Sequence, residues 1–107
     1  MTPENVSAII DTVKGTVLPG ERIAMFNKAC AIDPHDTVVI EELSELIKAV
    51  SKINRCHNNE HLKSLMEEIA DVRIVIERIM YKYNIKEDDI DKLVVFKINR
   101  FIDQYGI

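Results

Sequence analysis

Cysteine is scarce in this sequence of 107 residues, which contains only Cys30 and Cys56. Two cysteines do not make the disulfide framework of a small secreted domain, so we expect free thiols in a reducing compartment. The amino-terminal stretch MTPENVSAII also lacks the basic segment and the apolar stretch of a secretion signal. Together these features predict a cytoplasmic protein.

Long apolar runs and an excess of basic residues are missing as well. The apolar runs are far too short to cross a bilayer, so we expect no membrane-spanning segment. With 14 basic and 18 acidic residues the formal net charge is −4. A surface that binds nucleic acid needs a basic face, so we expect no nucleic-acid partner. A phosphate-bearing ligand would need metal ions or a local basic group.

Strand-like alternation of apolar and polar residues is absent, and apolar residues recur at helical spacing almost throughout. Breaks at GTVLPGE, DPHD, CHNNE and around Asn84 divide the chain into five predicted helices. The links between the later helices are short, which makes neighbouring helices antiparallel. We therefore predict an all-α antiparallel bundle of four to five helices in a single domain, residues 1–107. A chain this short buries a limited core, so oligomerisation would help it.

Capping residues mark several of the predicted helix ends. Thr2 can cap the first helix, and Asp33, followed by a proline, can cap the third. Asn58 or Asn59 can cap the fourth helix, and Asn84 can end it in a left-handed conformation. The last helix is predicted from residue 87 to about residue 104, with acidic residues in its first turn.

Two pairs of acidic residues border the apolar arcs of the third and fourth helices. At about 100° per residue, Glu42 lies at the edge of one arc, and Glu45 follows three residues later. Glu68 and Asp71 have the same spacing on the next helix and lie on one side of it. Burial of a bare carboxylate is costly, and four converging carboxylates would repel one another. A divalent cation such as Mg²⁺ or Mn²⁺, which prefers oxygen ligands, would resolve the repulsion. A single E-x-x-E pair, by contrast, is usually solvent-facing.

The last predicted helix carries a basic pair within its apolar stripe. Lys97 lies in the middle of the stripe, and Arg100 is beside it. Such a lysine can extend to solvent at a helix end, or it can balance a buried anion. A metal-bearing acid cluster with a basic pair opposite is, in outline, a di- or triphosphate site. The expected inward stripe consists of Ile90, Leu93, Val94, Ile98 and Phe101.

Three segments taken in order resemble a known family: EELSELIKAVSKINR, EEIADV and KINR. The first two contain the acid pairs described above, and the third runs from Lys97 to Arg100. They resemble the signature of the MazG-type all-α nucleoside triphosphate pyrophosphohydrolases, which is E-x-x-E, a variable spacer and E-x-x-D, followed by a basic motif. The resemblance covers about residues 35–105 and is greatest to the short, single-domain members. Residues 1–34 carry no match, so the residues that recognise the base stay open.

The resemblance implies Mg²⁺-dependent hydrolysis of an NTP or dNTP to the monophosphate and pyrophosphate, with Mn²⁺ as a possible substitute. It implies catalytic roles for Glu41, which would orient the attacking water, and for Glu45. It implies phosphate binding by Lys97 and Arg100. Lys52 is a further candidate for phosphate binding, because it lies on the same side of its helix as Glu45. It also implies a homodimer or homotetramer. The implied metal ligands are four acids: Glu42, Glu45, Glu68 and Asp71.

Other interpretations compete with this one. A di-iron bundle needs Glu-x-x-His on two helices, and no glutamate here has a histidine three residues later. His57 and His61 have metal-ligand spacing, but Asn58 stands where an H-E-x-x-H site has glutamate, so a polar helix start is the favoured interpretation. The main alternative is a non-catalytic helical interaction module whose acids form salt bridges with Lys97 and Arg100. The substrate nucleotide and the number of metal ions are open.

Overall fold

The computed structural model describes residues 3–13, 24–25, 27–28 and 36–106, and the predictions on Thr2 and Asp33 lie outside these ranges. Four helices follow one another in these ranges, with no β-strand, which confirms the all-α prediction. Residues 24, 25, 27 and 28 are also helical, but the bounds of the second predicted helix lie outside the described residues. The four helices are α1 (Pro3–Thr12), α2 (Thr37–Arg55), α3 (Asn59–Lys82) and α4 (Glu87–Tyr105). Within these ranges, no helix is both long enough and apolar enough to span a membrane.

Helices α2 and α3 form an antiparallel pair because only residues 56–58 separate them. Val39 and Ala49 of α2 and Val72 and Val75 of α3 are buried, and Val75 is only 2% exposed. Helix α1 packs against α3, and its Val6 is buried. The described apolar core is therefore small and lies along α3.

The helix ends follow from local hydrogen bonding. Asn58 caps α3 as predicted, because its Oδ1 accepts from the His61 backbone N–H at 2.7 Å. Asn84 has φ 53°, which confirms the predicted left-handed residue after α3. Helix α2 begins at Thr37, and Asp36 before it has φ 51°, a left-handed conformation outside the helical range.

The prediction that the apolar stripe of α4 faces inward is wrong for this chain on its own. Helix α4 has no buried residue and does not pack along any of the other three helices. Leu93 and Phe101 of the stripe are 52% and 55% exposed. Periodicity shows which side of a helix is apolar, but it does not show which element covers that side.

Candidate metal site

Three carboxylates from two helices meet beside the α2–α3 contact. Glu42 projects from α2, and Glu68 and Asp71 project from α3. One oxygen from each of the three lies within 4.8 Å of one from each of the others. We call these three residues the acidic trio. Packing of α2 on α3 brings them together although Glu42 is distant in sequence from the other two.

The acidic trio is partly buried rather than fully solvated, since all three side chains have intermediate exposure. The Glu68 Oε2 atom is buried and has no hydrogen-bond partner among the described residues. A buried carboxylate oxygen without a partner is costly, so it is expected to be satisfied by a group that the protein binds.

Burial and the negative charges of neighbouring acids raise the pKa values of two residues of the trio. Burial raises the pKa of Glu68 above its ordinary value of 4.5, and the negative charges of Asp71 and Glu42 raise it further. Burial is also the largest cause of the raised pKa of Glu42. The negative charge of Asp71 and a hydrogen bond with the Asp71 carboxyl group raise that pKa further. The charged neighbours that shift both groups are all acids, Glu45 included. The cluster thus favours any bound positive charge.

The donor set of the acidic trio fits a hard divalent cation. Carboxylate oxygens are the preferred protein ligands of Mg²⁺ and Mn²⁺. Mg²⁺ is usually held by few carboxylates, with water and substrate phosphates as its other ligands, so three acids at a partly exposed position are sufficient. These residues could therefore hold such an ion.

The other predicted acids lie outside the trio. The Glu45 Oε1 atom forms an ion pair with Lys48 Nζ at 3.2 Å on the same helix, and its side chain is about half exposed. Its charge nevertheless contributes to the raised pKa values of Glu42 and Glu68. Glu41 is exposed and adds to the raised pKa of Glu42. The roles of Glu41 and Glu45 stay predictions.

The predicted phosphate-binding residues are exposed. Lys97 and Arg100 lie on α4, where the Arg100 guanidinium sits 5.9 Å from the centre of the Phe96 ring. Neither forms an ion pair with the acidic trio in the described part of the chain. Lys52 is exposed near the end of α2. Their phosphate-binding roles stay predictions.

A second charged cluster was missed by sequence reasoning. Asp36, at the start of α2, forms ion pairs with Lys82 at 2.6 Å and with Arg78 at 3.8 Å. Arg78 is only 4% exposed. The i, i+4 spacing of Arg78 and Lys82 places them on one face of α3, but nothing local in the sequence points to Asp36 as their partner.

The histidine pair behaves as a polar helix start. His61 Nδ1 donates a hydrogen bond to the Cys56 carbonyl oxygen at 2.6 Å. Asn58 Nδ2 lies 3.5 Å from the Cys56 Sγ atom. His57 is exposed. Across the described ranges, the acidic trio is the group of side chains spaced to hold a metal ion, and it includes neither histidine.

The fold and the site define an all-α protein of four described helices with a partly exposed cluster of three carboxylates. Comparisons of the chain with family models, with curated proteins and with solved structures gave no match.

Proposed function

We propose that this protein is a Mg²⁺-dependent nucleoside triphosphate pyrophosphohydrolase that cleaves an NTP or dNTP to the monophosphate and pyrophosphate. The observation that carries the proposal is the meeting of Glu42, Glu68 and Asp71 within 4.8 Å. The two acid motifs, which resemble those of the MazG-type enzymes, lie far apart in the sequence. Because acids from both motifs nevertheless lie together, a shared metal-binding role is better supported than two unrelated acid pairs that face solvent.

Each residue has a distinct task in the proposed reaction. The acidic trio, with Glu45 as a fourth ligand, would hold the metal. When bound, Mg²⁺ would neutralise the triphosphate and lower the pKa of the attacking water. Glu41 would orient that water by accepting a hydrogen bond from it. Lys97 and Arg100, with Lys52, would bind phosphate oxygens and stabilise the charge that develops on them.

The proposed reaction breaks one phosphoric anhydride bond. The water oxygen bonds to the α-phosphorus, and the bond from that phosphorus to its bridging oxygen breaks. Pyrophosphate leaves with the bridging oxygen, and the nucleoside monophosphate retains the α-phosphate. The chain would act as a homodimer or homotetramer in the cytoplasm.

Turnover across canonical and modified nucleotides, with Mg²⁺ or Mn²⁺ and with pyrophosphate and phosphate assayed separately, tests the proposal. Pyrophosphate release is expected, and Glu42→Gln or Asp71→Asn should abolish it. Glu77→Gln, on an exposed position of α3, is the matched control and should keep the activity. Release of phosphate alone would mean cleavage of the terminal bond, and no turnover on any nucleotide would contradict the enzymatic proposal.

The alternative is a helical interaction module held by salt bridges between the acids and Lys97 or Arg100. Those salt bridges do not occur between the described residues, whereas Glu68 Oε2 lacks a partner. Both observations favour the metal site. A module would be inert in the turnover assay, and Asp71→Asn would lower its stability instead of its activity.

A further inference from the structure

Helix α4 carries a wide apolar surface that the described chain leaves uncovered. At about 100° per residue, its apolar side chains span an arc of about 200°. Most are about half exposed: Leu93 52%, Ile98 53% and Phe101 55%. A helix that is apolar over more than half its circumference is normally packed between several elements. The arc is formed by Ile90, Leu93, Val94, Val95, Ile98, Phe101, Ile102 and Tyr105.

The link before α4 is held by hydrogen bonds to the end of α3. The Tyr83 N–H donates to the Ile79 carbonyl at 3.1 Å, and the Ile85 N–H donates to the Met80 carbonyl at 2.8 Å. Between them Asn84 has φ 53°. In this arrangement α4 lies along none of the other described helices, so its apolar arc is left for a partner to cover.

A second uncovered apolar surface lies on the α2–α3 pair. Each helix carries an exposed stripe of apolar side chains, rotated by about 100° about the helix axis from the side that faces the other helix. Because the helices are antiparallel, equal rotations on the two helices bring both stripes to the same side of the pair. Ile47 is 68% exposed and Met66 is 42% exposed. The stripes consist of Ile40, Leu43, Ile47 and Val50 on α2, and Leu62, Met66, Ile69 and Ile76 on α3. We call this surface the hairpin groove.

The accessible surface area supports a large interface. The chain exposes 8798 Å², whereas a folded monomer of 12.3 kDa exposes about 6,100 Å². The excess is about 2,700 Å² per chain, so a dimer that removed it would bury about 5,400 Å² in total, at the upper end of the roughly 2,000–5,000 Å² or more that obligate homodimers bury. An interface of that size between two copies would remove the excess.

We propose that two copies of this chain form a dimer in which α4 of each copy lies in the hairpin groove of the other. A single helix with a wide apolar arc fits a groove between two helices, and this chain carries both surfaces. When each copy places its α4 in the groove of the other, both apolar surfaces are covered and the assembly closes with two-fold symmetry. The arrangement does not depend on the proposed enzymatic activity.

The charges on the two surfaces allow this contact. Between residues 90 and 105, two charged residues, Asp91 and Lys97, lie within the arc, and Asp91 is at its amino-terminal end. Arg73 interrupts the stripe on α3 and is exposed. The Lys97 and Arg73 side chains have long apolar stems that can lie along an interface while their charged ends stay in water.

Sedimentation equilibrium on the full chain and on charged variants tests the arrangement. The unmodified chain should be a dimer. Phe101→Asp on α4 and Ile47→Asp in the groove should each weaken the dimer by about 30-fold or more, the effect expected at a well-packed interface position. The matched controls are Asn99→Asp on the polar side of α4 and Ser44→Asp outside the groove on α2, and both should dimerise normally. Circular dichroism would verify that each variant keeps its helix content.

Mixing the two weakened variants distinguishes reciprocal exchange from other dimers. The Phe101→Asp chain keeps an intact groove and the Ile47→Asp chain keeps an intact α4, so the mixture should form a heterodimer through one sound contact. If like surfaces packed on each other, mixing would restore nothing, and the proposal would be overturned. A monomeric unmodified chain, or a Phe101→Asp variant that dimerises normally, would also overturn it. If turnover fails while these results hold, only the proposed enzymatic activity is contradicted.

Discussion

Lys82 Nζ lies 2.6 Å from Asp36 Oδ2, although 46 positions separate the two residues in the sequence. The contact joins the residue before α2 to the last turn of α3, and Arg78 approaches the other carboxylate oxygen at 3.8 Å. The carboxylate therefore neutralises cationic charge at the end of the α2–α3 pair. A hydrogen bond with this carboxylate raises the pKa of Lys82, since it stabilises the ammonium form.

We expect Asp36→Asn to destabilise the protein by about 1–2 kcal/mol, because the nearly buried Arg78 guanidinium loses a carboxylate partner. Lys82 loses a charged hydrogen-bond acceptor as well. Asparagine tolerates the left-handed backbone of position 36, so the substitution isolates the charge. Urea unfolding followed by circular dichroism measures the change. Asp103→Asn on the polar side of α4 is the control, and an equal effect of the two substitutions would contradict a specific role for Asp36.

Asn58→Ala should cost about 1 kcal/mol of stability, because the His61 backbone N–H loses its side-chain acceptor at the start of α3. Asn59→Ala is the matched control, since residue 59 is the first residue of the helix and not its cap. Thermal melts of both variants at one protein concentration make the comparison. Equal melting temperatures for the two variants would show that the cap contributes nothing measurable.

The sequence predicted the helices and much of the candidate site because both depend on local spacing. Helical periodicity, the Asn58 cap and the left-handed Asn84 need only neighbouring residues. The acidic trio was predictable because acids bordered the apolar arcs of two helices joined by a short link. Packing those arcs together brings Glu42 and Glu68 to the same contact.

What could not be predicted depends on tertiary geometry. Glu45 and Asp71 each follow a trio acid by three residues, yet only Asp71 joins the cluster. Glu45 forms an ion pair with Lys48 instead, and the relative position of α2 and α3 decides which of the two acids points inward. The partner of Arg78 and the element that covers α4 likewise depend on contacts between distant segments.

Substitutions in the acidic trio should have opposite effects on stability without and with metal. Without metal, Glu68→Gln removes a partly buried charge that the neighbouring acids repel, so the melting temperature should rise by a few degrees, as about 1 kcal/mol shifts it by about 4–8 °C. With Mg²⁺, the parent protein should gain stability on binding and the variant should gain less. Scanning calorimetry with a chelator or with Mg²⁺ measures both, with Glu77→Gln as the control. A lower melting temperature for Glu68→Gln without metal would argue against repulsion in the trio.

The raised pKa values of Glu42 and Glu68 predict how metal-free stability depends on pH. Each carboxyl binds its proton more tightly in the folded state than in the unfolded chain, whose value is 4.5. The folded state is therefore least stable at a pH above the folded-state pKa. Its stability increases as the pH falls through that pKa, and the whole increase is present below pH 4.5.

Because other groups also titrate, the measured quantity is the difference in unfolding free energy between the parent and a Glu42→Gln/Glu68→Gln double variant. That difference should favour the variant at neutral pH and shrink as the pH falls. With saturating Mg²⁺ the direction should reverse for the parent, which would lose stability on acidification because protonation competes with the metal for the same oxygens. A stability difference that does not change with pH would contradict the raised pKa values.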